Sequence, residues 1–278
     1  MKKLIKYEFL LKIISSFQDY DNLYLVTNLF EGDVLYNYKD INLTEKQIRF
    51  ISACIIQSLA YLRKKKIINR DIRMKNIIMD KQRYLNLIDF SFAIDYTKKN
   101  NIKYWVVASK NESAPEIMNH SSYDYNSDYY RMGTILYYLI FKQYINFVKK
   151  GNYINDFIID YKTTNFSFEC IDFINKLIIN DNKKRIGYKS INELKYHNWF
   201  KGFDWINFER KKLISPLKFM KKTFNKTYCK RHRISRERKI KHQKLEKRKF
   251  YKKILSHYDF VNEIIISKIL NSFKSNNN

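Results

Sequence analysis

The run from Ile67 to Phe90, IINRDIRMKNIIMDKQRYLNLIDF, constrains this chain more than any other part of it. Two short apolar runs, Ile77–Met79 and Tyr84–Ile88, flank a polar turn at Asp80–Arg83. The second run alternates as a half-buried strand does, so the pair predicts an antiparallel β-ribbon. Asp71, Asn76 and Asp89 stand at the ends of these runs. Polar groups on loops held by strands are where binding and catalysis concentrate. Two carboxylates and an amide oxygen suit a hard cation such as Mg²⁺, which takes oxygen ligands, and one carboxylate is left over to accept a proton. Phosphoryl transfer needs such a set.

This stretch resembles the catalytic loop and metal-binding loop of eukaryotic protein kinases, H-R-D-L-K-x-x-N followed by D-F-G. Here they stand as Asn69-Arg70-Asp71-Ile72-Arg73-Met74-Lys75-Asn76 and Asp89-Phe90-Ser91. The resemblance implies an α+β, protein-kinase-like fold and transfer of the γ-phosphate of ATP to a protein Ser or Thr hydroxyl. It also implies roles. Asp71 positions the hydroxyl and accepts its proton, and Arg73 stabilises charge on the moving phosphoryl group. Asn76 and Asp89 hold Mg²⁺, while Ile78 and Ile88 floor the nucleotide pocket.

Other parts of the chain resemble the same family in the same order. Residues 7–30, YEFLLKIISSFQDYDNLYLVTNLF, hold two strand-like runs around Gln18–Asn22 and are similar to the last two small-lobe strands and the hinge. By that resemblance Thr27 is the gatekeeper, the Asn28–Phe30 backbone meets adenine, and Asp33 contacts ribose. Thr44 and Gln47 form a capping box ahead of Ile48, Ile51, Ile55, Leu59 and Leu62, whose spacing predicts a long core helix closed by Arg63–Lys66. Ala114-Pro115-Glu116 resembles the end of an activation segment, and DYYRMG from Asp128 resembles the start of a buried helix. Asp128 would brace the catalytic loop, and Arg185 in DNKKRIG would pair with Glu116. Arg70 would hold a phosphate on the activation segment. Residues 165–180 predict a further amphipathic helix. His197, Trp199, Phe200, Asp204, Trp205, Pro216 and Phe219 match the end of the large lobe in the AGC group, the cyclic-nucleotide-dependent kinases in particular, with both Trp read as packing residues.

The chain departs from the pattern as well. The resemblance spans residues 7–219 and begins at the fourth strand. There is no G-x-G-x-x-G, and Gly occurs only five times. Six residues stand ahead of Tyr7, so this sequence is expected to lack the family's strand-three Lys and its Glu partner, which hold the nucleotide phosphates. The sequence therefore predicts a small lobe largely missing and a chain that is weak or inactive alone. Arg73 replaces a Lys, Ser91 replaces a Gly whose backbone freedom the metal loop uses, and Val106 and Ala108–Asn111 alter the activation segment. A pseudokinase, kept for binding, stays open as the alternative.

Composition adds bounds. Net charge is +27, which favours acidic partners. Residues 221–254 carry 16 Lys or Arg against Glu237 and Glu246, and this stretch has almost no apolar face. It reads as a solvated helix or disordered tail, or as a binding segment for acidic protein or nucleic acid. The three Cys are far apart, as suits a reducing compartment. The apolar start is broken by Glu8 and Lys12 and predicts no signal peptide, and no run is long enough to cross a membrane. The expected division is 1–30 small-lobe remnant and hinge, 31–219 large lobe, and 220–278 basic extension, partly helical or disordered. The expected location is cytoplasmic, with the nucleus open because of the tail. Substrate and oligomeric state are not legible.

Overall fold

A computed structural model describes residues 7–18, 23–97, 113–118, 124–145, 149–150, 153–154, 157–218 and 260–261. The fold is mixed α+β, and the chain divides into two units. The smaller holds Leu11–Leu29 and the strand near the carboxyl end; the larger holds Tyr7–Leu10 and the segment from Phe30 onward.

In the smaller unit, β1 (Ile13–Gln18) and β2 (Leu23–Thr27) form an antiparallel hairpin, as the two apolar runs predict. Asn28 ties its open end: its amide donates to the Lys12 carbonyl at 3.1 Å, and its side-chain oxygen accepts from the Lys12 amide at 2.8 Å. The other edge of β1 pairs with a two-residue strand, Phe260–Val261.

The larger unit is organised on α1 (Glu45–Lys64), the predicted long helix. Gln47 supplies its half of the capping box, accepting from the Thr44 amide at 2.8 Å. Ile48, Ile51, Ile55, Leu59 and Leu62 are all buried. Arg63 does more than complement the helix end: it bonds the carbonyls of Gly187, Tyr188 and Lys189 at 2.6–3.2 Å and so clamps a distant loop. After β3 (Ile67–Ile68) comes the expected ribbon, β4 (Ile77–Met79) against β5 (Leu85–Leu87). Its turn is fixed by Asp80, whose carboxylate accepts from the amides of Gln82 and Tyr84, each at 2.9 Å. Ile77, Met79, Leu85 and Leu87 are buried, while Ile78 is half-buried on the opposite face. Gly32 lies so close to Met79 that an added Cβ would sit 2.7 Å from its backbone oxygen, which is why the turn before the ribbon needs glycine.

β6 (Ile94–Asp95) pairs with β3 and returns the chain beneath the catalytic-loop stretch. A short α2 (Pro115–Met118) precedes α3 (Tyr125–Phe141), which is buried along nearly its whole length. α4 (Phe168–Leu177) packs on α3. Asp124 and Ser167 cap α3 and α4 through their side chains, as short polar residues at helix starts do. Trp199 packs tilted and Phe200 edge-to-face against Phe173 of α4, and the Trp199 indole donates to Glu45 at 2.8 Å. Both Trp are thus packing residues, as predicted, for the Trp205 indole donates to the Lys195 carbonyl. Phe219, Val106 and residues 108–111 and 221–254 lie outside the described residues.

Candidate active site

Three structural pieces meet at the catalytic-loop stretch: the loop after β3, the junction of β4 and β5, and the first turns of α3. Asp128, on α3, accepts from the amides of Asn69 at 2.8 Å and Arg70 at 3.0 Å, which is the bracing expected of it. Burial pushes its carboxyl up to about 6, against the pull of those two amides and of Arg131. Arg70 is thereby held at φ 66°, a left-handed conformation that costs a side chain of this size about 1 kcal/mol or more. Its Nε donates to the Phe92 carbonyl at 2.7 Å.

Asp71 is 5% exposed. Asn76, five residues on, donates its side-chain amide to Asp71 Oδ2 at 2.7 Å and to the Asp71 carbonyl at 3.0 Å. Spending its NH₂ group this way leaves the Asn76 side-chain oxygen facing elsewhere. The Asn76 carbonyl accepts from the Ile88 amide at 3.0 Å, so Asp89 begins one residue past the pairing partner of Asn76. The ribbon thus brings Asp71, Asn76 and Asp89 together. Asp89 Oδ1 accepts from the Ser91 amide at 2.8 Å. That bond closes a local turn in which Ser91 keeps a negative φ: the left-handed non-glycine residues described are Lys66, Arg70, Arg83, Lys142 and Lys211. Ser91 therefore does not occupy, in this turn, the conformation that only glycine adopts freely.

Asn69 reads in sequence as a departure, yet it ties the site together. Its side-chain oxygen accepts from the Asp71 amide at 2.9 Å, and its NH₂ donates to the Asp89 carbonyl at 2.7 Å. One amide therefore links the catalytic and metal loops. Arg73 lies 3.9 Å from Asp71 with its side chain 40% exposed. Sequence reasoning missed Arg131, a buried guanidinium 3.3 Å from Asp71 Oδ1. The signal available was a lone charge inside the apolar run that follows Asp128.

Glu116 and Arg185 meet as expected. The pair is bidentate at 2.7 and 3.0 Å, with the Arg185 side chain fully buried. Arg185 also bonds the carbonyls of Asn126 and Ile179, and Ser127 donates to Glu116 at 3.0 Å. Of the nucleotide-binding candidates, Thr27 and Asn28 belong to the hairpin unit, where the Asn28 amide is already taken by Lys12. Phe30, Asp33, Ile78 and Ile88 belong to the larger unit, with Ile78 and Ile88 half-buried. The Asp33 carboxylate accepts from the Val34 amide at 2.8 Å and from the Asn37 side chain at 2.6 Å, so part of its capacity is spent on local structure.

Among the described residues no three His, Cys, Asp or Glu side chains gather as a closed metal cage. Asn76 and Asp89 instead offer two hard oxygen donors at adjoining strand ends. That sparse set would suit a divalent metal with a preference for oxygen ligands, which Asn76 and Asp89 would hold in part.

The fold and the ordered motifs define a protein kinase domain: residues 1–200 match that family, and the chain belongs to it. Its relatives are AGC-group kinases. Serine/threonine-protein kinase sgk-1 of Caenorhabditis elegans is 29% identical over 217 residues, 76% of this chain and 47% of that protein. A cGMP-dependent protein kinase of Drosophila melanogaster, isozyme 2 forms cD5/T2, is 27% identical over 76% of this chain and 23% of that protein. The cAMP-dependent protein kinase catalytic subunit 2 of the same fly is 26% identical over 76% of this chain and 61% of that protein. The chain spans about half the length of the first relatives it matches. The family as a whole uses ATP and a divalent metal and acts on protein substrates. No described helix is long and apolar enough to cross a membrane.

Proposed function

We propose that this domain, when completed by a small lobe, transfers the γ-phosphate of ATP to Ser or Thr hydroxyls of protein substrates. The observation that carries the reading is the convergence of Asp71, Asn76 and Asp89 at one end of the β4–β5 ribbon, with Asn76 bonded to Asp71 at 2.7 Å and Asn69 bridging to Asp89. Mg²⁺ held by Asn76 and Asp89 would supply charge neutralisation at the phosphates. Asp71 orients the attacking hydroxyl and takes its proton as the new oxygen–phosphorus bond forms and the bond to the ADP leaving group breaks. Arg73, exposed beside Asp71, faces the charge that spreads over the phosphoryl oxygens. Asp128, Asn69 and Asn76 keep these groups in place before substrate arrives, and such preorganisation supplies most of the rate in phosphoryl transfer.

Three further assignments belong to the same reading. Residues 31–219 are the catalytic large lobe. The basic stretch 221–254 takes an acidic protein or nucleic acid, supported by its 16 basic residues against two acids. The protein works in the cytoplasm, or in the nucleus where the basic stretch directs it there.

The test has two arms. In the first, ATP with Mg²⁺ raises the unfolding temperature of the chain, and Asp89→Asn abolishes the rise. In the second, phosphotransfer to Ser/Thr peptides falls by roughly 10²-fold or more in Asp71→Asn while the ATP–Mg²⁺ shift persists. Because no Gly-rich loop lies in this sequence, turnover by the chain alone is expected to be slow. A shift without turnover favours a binding role for the domain. No shift and no turnover overturn the reading.

A further inference from the structure

We propose that Arg131 of α3 is a positioning residue for Asp71, the buried counter-charge that fixes the direction of its carboxylate. The inference deepens the phosphotransfer reading and rests on it.

Arg131 is 2% exposed, and a guanidinium so placed needs an anion. Its Nη1 donates to the Arg70 carbonyl at 2.8 Å and to Asp71 Oδ1 at 3.3 Å. The other neighbouring carboxylate, Asp128, already accepts from two loop amides. Asp128 and Arg131 are three residues apart on α3 and so share a face. One helix end thus presents an acceptor to the amides of the catalytic loop and a donor to its carbonyl and carboxylate.

Asp71 is held on every side the core can reach. Its amide donates to Asn69, Oδ2 accepts from Asn76, and Oδ1 accepts from Arg131. The remaining lone pairs are then aimed by the protein rather than by solvent. Arg73 cannot do the same work: at 3.9 Å and 40% exposed, its charge is screened by solvent. The Nη2 of Arg131 is buried and has no hydrogen-bond partner among the described residues, so the hydrogen bonds its guanidinium makes there run from Nη1 to the catalytic loop. A buried cation with an idle donor is a poor choice for stability alone, and apolar replacements of buried charges are often neutral or better. Its position is explained by what it holds.

The test is a double-mutant cycle on the full chain, read by urea unfolding and needing neither ATP nor turnover. Its members are Arg131→Met, Asp71→Asn and the double variant. In the wild-type background Asp71→Asn is expected to destabilise, since it strands the guanidinium. In the Arg131→Met background the same change is expected to be neutral or stabilising. The expected coupling is at least about tenfold in the unfolding constant, whereas additivity within about twofold overturns the proposal. Should Arg131→Met fail to fold, Arg131→Lys takes its place, with about threefold coupling expected and additivity again overturning it.

Turnover is measured in parallel. Arg131→Met is expected to lower kcat by about 10–100-fold with KM for ATP unchanged within about twofold, and Arg131→Lys to recover part of the loss. A raised KM with kcat intact overturns the positioning role. A wild-type chain with neither an ATP–Mg²⁺ shift nor turnover overturns the phosphotransfer reading, and the unfolding cycle alone then decides the clamp.

Discussion

Glu116 and Arg185 are 69 residues apart, and their contact decides how the activation-segment end is anchored. Arg185 makes bonds to Glu116, Ile179 and Asn126, so its charge is fully compensated although it is buried. Breaking such a pair from one side leaves an isolated charge in a low-dielectric interior. Glu116→Ala is expected to cost about 3–5 kcal/mol, read as a drop in the urea midpoint at unchanged slope. A cost below about 1 kcal/mol would show that water reaches the pair. At this scale Asn69 also changes meaning. As a letter it is a lost histidine, and as a side chain it is the bridge between two loops.

The helices set which side chains can meet. α3 presents Asp128 and Arg131 to the catalytic loop, while Gly133 lets the same helix approach α4. A Cβ at Gly133 would lie 2.7 Å from Ile178 Cγ2 and 2.8 Å from Leu177 Cβ. Alanine in place of glycine favours a helix interior by about 1 kcal/mol. Overpacking of this kind costs about 1–3 kcal/mol. Gly133→Ala is thus expected to lower stability by roughly 1 kcal/mol in chemical denaturation, and a gain in stability would show that the two helices can part without cost. The ribbon tells a related story. The alternation in Tyr84–Ile88 gives its pairing, but not that the pairing carries Asn76 and Asp89 to one place.

For the molecule as a whole, pH acts through groups that fold into new surroundings. His197 is pushed below its usual range by burial and then by Lys176, with Asp172 opposing. Its Nε2 lies 3.0 Å from Asp172 and 3.4 Å from Lys176 Nζ, and its ring packs tilted against Phe173. A depressed histidine stays neutral when folded and takes a proton when unfolded, so stability falls as pH drops below about 6.5 toward the folded value. Asp128 works in the opposite sense: its carboxyl, pushed up to about 6, takes a proton more readily in the folded chain. That contribution is present at low pH and is lost as pH rises through about 6. Comparing His197→Gln with wild type cancels the Asp128 contribution. The variant is expected to lose less stability than wild type between pH 7.5 and 5.5, measured by urea midpoints. Equal losses would mean that His197 is not depressed.

The order and spacing of short motifs were enough to give the kinase fold, the long helix, the ribbon and the residues at its ends. Those features are local or periodic, and local chemistry along the chain dictates them. The partner of Asp71 was not legible, because it depends on where α3 packs some sixty residues later. Nor was the backbone angle of Ser91, since it is set by the turn that closes around it. A charged letter in an apolar run states only that a cost exists. Tertiary packing decides which carboxylate offsets that cost, because burial and distance, not sequence neighbourhood, set the strength of an ion pair.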